Sequence, residues 1–211
     1  MAAPLRDPPA LHDRALQDLS FIRRTMEGAS SFTDVPGWGL VSVGVTAIGA
    51  AALAAQQPTA GRWIGVWLAE AVIGVALGGG AMWQKIRRNS ARVEGGPLLS
   101  VPARKFLFGF WPSILAGAVL TFALIDPSTI LIASSEVPRA LPGLWLLLFG
   151  VGVLTAGAFS VRAVPLMGSA FMLLGVIALL FRSLSGDLLL ALGFGGLQIG
   201  FGVWIARRHG G

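Results

Sequence analysis

The chain has 211 residues, 55% of them hydrophobic and only 12% charged, with a mean hydropathy of +0.75. Ordinary soluble domains are roughly 25% charged, so this chain lacks the polar surface to stay dispersed in water and needs lipid as its solvent. There is no cysteine, and His12 and His209 lie outside every apolar stretch, which excludes disulfides, thiolate chemistry and a bis-His haem within the membrane; no metal or cofactor is expected.

The first 34 residues carry charges throughout and contain no apolar run of signal-peptide length. Over residues 11–27, Leu11, Ala15, Leu19, Ile22 and Met26 recur on one helical face, with Asp13, Gln17, Ser20 and Arg24 opposite. This spacing predicts an amphipathic cytoplasmic helix. Arg14, Arg23 and Arg24 are balanced by Asp13, Asp18 and Glu27, so strong electrostatic attachment to anionic lipid is not expected. Its stripe of Leu11, Leu19, Ile22 and Met26 either docks a protein partner or a second copy of the chain, or packs along the protein's own inner surface.

A membrane-spanning helix needs about 20 mostly apolar residues, and six segments meet or approach this: 36–55, 63–83, 106–125, 143–161, 164–181 and 187–206. The expected fold class is therefore all-α: a polytopic membrane protein of six transmembrane helices preceded by the N-terminal amphipathic helix. Residues 1–34 form the cytoplasmic segment, 35–206 the transmembrane domain and 207–211 a cytoplasmic tail. The run from Leu144 to Phe181 would measure ~57 Å as one helix, nearly twice the ~30 Å hydrocarbon core, so a hairpin at 160–165 is the better reading.

Cytoplasmic loops are enriched in Lys and Arg. Arg6, Arg14, Arg23, Arg24, Lys85, Arg87, Arg88, Arg92, Arg104, Lys105, Arg162, Arg207 and Arg208 fall on one side of the predicted membrane, against Arg62, Arg139 and Arg182 on the other. That asymmetry places both termini in the cytoplasm and explains the net charge of +6 as topology rather than as a nucleic-acid surface.

Glu70 is the acidic residue well inside an apolar span. An ionised carboxylate there costs on the order of 2–3 kcal/mol, so it is expected to be protonated or paired. It shares a stripe with Gly74 and Gly78, which points it into the bundle; it is either a proton or cation site or a packing contact that reaches a neighbouring helix or Arg62. Gln198, in the last span beside Gly195 and Gly202, is the second substrate or ion candidate, with interhelical hydrogen bonding as the alternative. Ser42, Thr46, Ala50 and Ala54 give the first span a small-residue packing face, and Pro112 is expected to kink the third. The Gly-rich runs at 78–80 and 193–196 lack the strand and lysine of a phosphate loop. Pro36, Gly37, Gly44, Val45, Ala50 and Ala52 recur in kind at a constant offset of 106 as Pro142, Gly143, Gly150, Val151, Ala156 and Ala158, the pattern of an inverted three-helix repeat or of chance in so simple a composition.

The stretches LHDRALQDLSFIRRTME, VPGWGLVSVGVTA and GFGGLQIGFGVWIARRHGG resemble parts of uncharacterised bacterial multi-spanning membrane proteins. The resemblance covers the start, the first span and the last span. It implies a bacterial plasma (inner) membrane and brings no activity with it. The spans contain no His, Cys or Lys to serve as a base, so catalysis is not expected. The leading expectation is a non-enzymatic subunit, scaffold or sensor acting through helix association, with the lipid bilayer and a protein partner or second copy as its contacts. The alternative is a small secondary transporter or channel with a proton or cation site at Glu70.

Overall fold

The computed structural model describes Leu16, Asp18, Leu19 and residues 35–90, 99–125, 137–158, 160–181 and 183–209. Among these, the secondary structure is helical, without strands, and six helices are long and apolar enough to cross a membrane. They are α1 (Gly37–Ala54), α2 (Ala60–Gly74, Val75–Gly79 and Gly80–Ser90), α3 (Val101–Ile125), α4 (Val137–Gly157), α5 (Ala163–Leu180) and α6 (Gly186–Leu190, Ala191–Leu197 and Gln198–His209). Of the predicted helix over 11–27, Leu16, Asp18 and Leu19 are described, helical and exposed; the rest, with Leu11, Ile22 and Met26, lies outside the described residues.

Several helices run further than hydropathy alone suggests. α2 continues to Ser90 and α3 begins at Val101, so Lys85, Arg87, Arg88, Arg104 and Lys105 ride on helical extensions rather than in a loop. α4 begins at Val137, which puts Pro142 inside it, one turn past the start, where its missing N–H leaves one bond of the helical ladder unmade. α4 ends at Gly157 and α5 begins at Ala163, so the two form a hairpin. α3 continues through Pro112, and the Thr155 hydroxyl of α4 donates to the Gly109 carbonyl at 2.7 Å, supplying a partner in the turn that the proline loosens.

Gly78 and Gly79 of the first Gly-rich run and the whole of the second lie in π-helical segments, Val75–Gly79 in α2 and Ala191–Leu197 in α6. A π turn carries more residues than an α turn and shifts the phase of the faces on either side; such segments are frequent at functional sites.

Two glycine zippers set the packing. In α1 and α6, a methyl added at Gly37 would lie 2.6 Å from the Gly202 carbonyl and one at Gly202 2.8 Å from the Gly37 carbonyl, while Gly44 stands in the same relation to Gly195 at 2.8 Å. In α4 and α5, Gly143 and Gly150 face Gly175 and Gly168 with equivalent distances of 2.8–3.1 Å. Each glycine pair is spaced by seven residues, two helical turns, so one face of each helix carries both contacts. Backbone this close leaves no room for any side chain. The echo at offset 106 therefore maps onto unlike partners: Gly37 and Gly44 pack on α6, whereas Gly143 and Gly150 pack on α5, not on α3 as a tandem repeat of three helices requires.

Around these pairs, α1 also packs on α2, α4 on α3, and α6 touches α4 and α5. Phe106 and Phe110 of α3, Phe149 of α4, Phe171 of α5 and Phe194 of α6 form a chain of ring contacts with centroids 4.7–6.3 Å apart that joins four helices. The perimeter is apolar: Val72, Val75, Phe108, Phe122, Leu173 and Leu180 are all exposed, a surface matched to hydrocarbon rather than water. Antiparallel alternation gathers Lys85, Arg87, Arg88, Arg104, Lys105, Arg162, Arg207 and Arg208 at one end, here the basic end, with Arg208 over the Trp204 ring at 5.9 Å. Arg62 and Arg139 lie at the opposite, far end.

Candidate functional site

α1 and α2 meet along a seam in which small residues bring the helices close. Val43 of α1 sits against Gly74 and Gly78 of α2, 3.4 and 3.6 Å from where a Cβ would be, ordinary contact distances that are looser than the zippers. One turn further towards the far end, the Thr46 hydroxyl and the Glu70 carboxyl meet, with Thr46 Oγ1 2.8 Å from Glu70 Oε1. Glu70 is 8% exposed. Its partner is thus a hydroxyl on the neighbouring helix rather than Arg62, which is exposed at the start of α2.

Thr46 Oγ1 has three acceptors within reach: Glu70 Oε1, the Val43 carbonyl at 2.9 Å and the Ser42 carbonyl at 3.4 Å. A hydroxyl has one hydrogen to give and lone pairs to receive with. When Glu70 is ionised, Thr46 donates to it. When Glu70 carries a proton, the carboxyl donates to Thr46 Oγ1, and the threonine turns its own hydrogen to the Val43 carbonyl. Thr46 can therefore serve Glu70 in either protonation state by rotating one bond, without moving a helix.

Gln198 follows directly on the π segment of α6 and is 4% exposed, with Oε1 lacking a hydrogen-bond partner. An unpaired buried acceptor costs about 1–3 kcal/mol. No hydrogen bond joins Gln198 to Glu70, so the two candidates do not form one donor set. Gly195 and Gly202 on the same helix are zipper glycines, while Gly74 and Gly78 line the seam beside Glu70.

A second polar cluster closes the far end. Asp187 in the first turn of α6 accepts from the indole N–H of Trp63 at 2.7 Å and of Trp67 at 3.3 Å, both through Oδ1. The Trp63 ring is parallel to Trp145 of α4, with centroids 5.8 Å apart. Trp145 donates to Thr121 Oγ1 at 2.8 Å, and Thr121 donates to the Gly117 carbonyl of its own helix, α3, at 2.7 Å. One network therefore ties α2, α3, α4 and α6 together.

No family model, curated protein or solved structure matches the chain. The site is consequently read from its own chemistry.

Sequence reasoning took Thr46 for a packing residue and passed over Asp187, Trp63, Trp67, Trp145 and Thr121. A partial signal was present: Trp63, Trp67, Glu70, Gly74 and Gly78 follow one another by four, three, four and four residues on one face of α2. Their partner Asp187 lies 120 or more residues away, beyond the reach of any periodicity.

Proposed function

We propose that this chain is a small proton-coupled transporter or proton channel of the bacterial plasma membrane, with Glu70 as the proton-binding group and Thr46 as the hydroxyl that follows its protonation state. The observation that carries the reading is the buried Glu70–Thr46 pair at 2.8 Å, in which the hydroxyl can accept from the acid or donate to the carboxylate. The small-residue faces that favoured association are occupied within the chain itself, α1 on α6 and α4 on α5. The association reading keeps the exposed Leu16 and Leu19 in its favour.

The test is proton flux into liposomes holding the purified chain under an imposed membrane potential. Glu70→Gln keeps the shape and an acceptor oxygen but cannot titrate, so flux is expected to vanish while the melting temperature holds. Thr46→Ser should retain flux and Thr46→Val should lose most of it, because valine leaves the carboxyl without a partner, at about 1–3 kcal/mol. Absence of flux from the parent protein, or undiminished flux in a stable Glu70→Gln variant, overturns the reading and leaves Glu70 as a packing contact.

The basic end is assigned to the cytoplasm on the Lys and Arg asymmetry. Reporter fusions after Gln56, Ser128 and Ser183 should report the outside, and fusions after Gly95 and Gly210 the inside. An outside report at Gly210 would reverse the orientation or change the number of spans.

A further inference from the structure

We infer that Asp187 is a positioning residue that latches α2 onto the bundle at the far end and thereby closes the far-end route to Glu70. Among the described residues, the backbone of α2 packs chiefly on α1. From its first turns side chains reach other helices: Ile64 packs with Leu141 and Leu124, Trp63 and Trp67 reach Asp187, and Trp63 stacks on Trp145. Beyond this point Val72, Ile73 and Val75 of α2 are exposed. The helix is thus held along one side by α1, at its far end by the latch, and at its basic end by the buried Ile86 and by Lys85, which donates to the Val35 carbonyl at 3.3 Å.

Trp67 stands one turn before Glu70 on the same face and is 4% exposed, which places its indole between the carboxyl and the far end. Both indole N–H groups point at a single oxygen of Asp187. An anionic acceptor binds such donors more strongly than a neutral one, and removing it strands two buried or half-buried N–H groups together. The Trp145–Thr121–Gly117 extension roots the cluster in α3 and α4, so the latch acts against a fixed wall rather than against one mobile helix. The inference rests on the proton-site reading for what the latch guards, whereas its test does not involve flux.

The chain has no cysteine, so a single one can be introduced as a reporter. Ala50 lies one turn from Thr46 towards the far end and is buried. In the detergent-purified full chain, the Ala50→Cys variant is expected to react slowly with a charged, water-soluble maleimide. Adding Asp187→Ala should accelerate labelling about ten-fold or more as α2 opens from that end. Asp187→Asn, which keeps an acceptor oxygen, should fall between the two. Ala163→Cys, buried at the start of α5 and so at the opposite, basic end of the bundle, serves as the control and should label at an unchanged rate. Three outcomes overturn the inference: fast labelling of Ala50→Cys in the otherwise unaltered chain, no acceleration on Asp187→Ala, or acceleration at both reporters alike, which would make Asp187 a contributor to general stability only. Loss of proton flux in the parent, with the labelling pattern as expected, would remove the proton site and leave the latch standing.

Discussion

Replacing Gly150 with leucine is expected to abolish the folded bundle in mild detergent, measured as loss of a cooperative melting transition and of a single elution peak. A methyl at this position would sit 2.6 Å from the backbone nitrogen of Met172 and 2.8 Å from the Gly168 carbonyl, so it meets backbone that no rotamer change can move. Alanine already forces α4 and α5 apart and should cost about 1–3 kcal/mol, as overpacking does in cores, with leucine costing more. Between apolar helices in lipid there is little hydrophobic drive to compensate, because the tails are as apolar as the side chains; close packing supplies the association. Gly44→Leu should fail in the same way through the Gly195 carbonyl. Gly200 has nothing within 4 Å of the added methyl, and Gly200→Ala should be neutral or stabilising by up to about 1 kcal/mol through helix propensity. Equal tolerance at Gly150 and Gly200 would show that the zippers are not the basis of the packing.

The second large effect is expected at Phe171, which is fully buried and touches Phe149 and Phe194 at centroid distances of 4.7 and 5.3 Å. In water-soluble cores Phe→Ala costs about 3–5 kcal/mol, part transfer from water and part cavity. Here the alternative environment is lipid, so the cavity and lost dispersion dominate and a loss of about 2–3 kcal/mol is expected. Phe122→Ala, on the exposed face of α3, should change the melting temperature little. A Phe171→Ala protein as stable as the parent would mean that the aromatic chain does not join α3 to α6 energetically.

These expectations show which features were legible before the fold was known. Glu70 stood out because a carboxyl surrounded by Ala, Val, Ile and Gly is a local anomaly, and its shared stripe with Gly74 aimed it at a neighbouring helix. Which atom it would meet was not legible. Thr46 is one of several small polar residues on α1, and its hydroxyl becomes informative only when α2 is laid against it in one register. Gln198 was visible for the same reason as Glu70, but its lack of a partner depends on the packing of α1, α5 and α6 together. The recurrence at offset 106, read as a repeat or as chance, falls on glycines that two different helix pairs need for close approach.

The amino-acid sequence by itself determined an all-helical chain with six apolar segments, because span length and hydropathy are sums over neighbouring residues, and hydrocarbon requires each backbone group to be satisfied within its own helix. It also settled that the spans carry almost no ionisable groups. Tertiary structure decided the pairing of α1 with α6 and of α4 with α5, since heptad-spaced glycines permit close approach to any helix with a matching face and do not name it. It alone decided that Asp187 meets Trp63 and Trp67, and that Glu70 meets Thr46. Those contacts join residues far apart in the chain, and a directional hydrogen bond exists only where two helices fix both distance and angle.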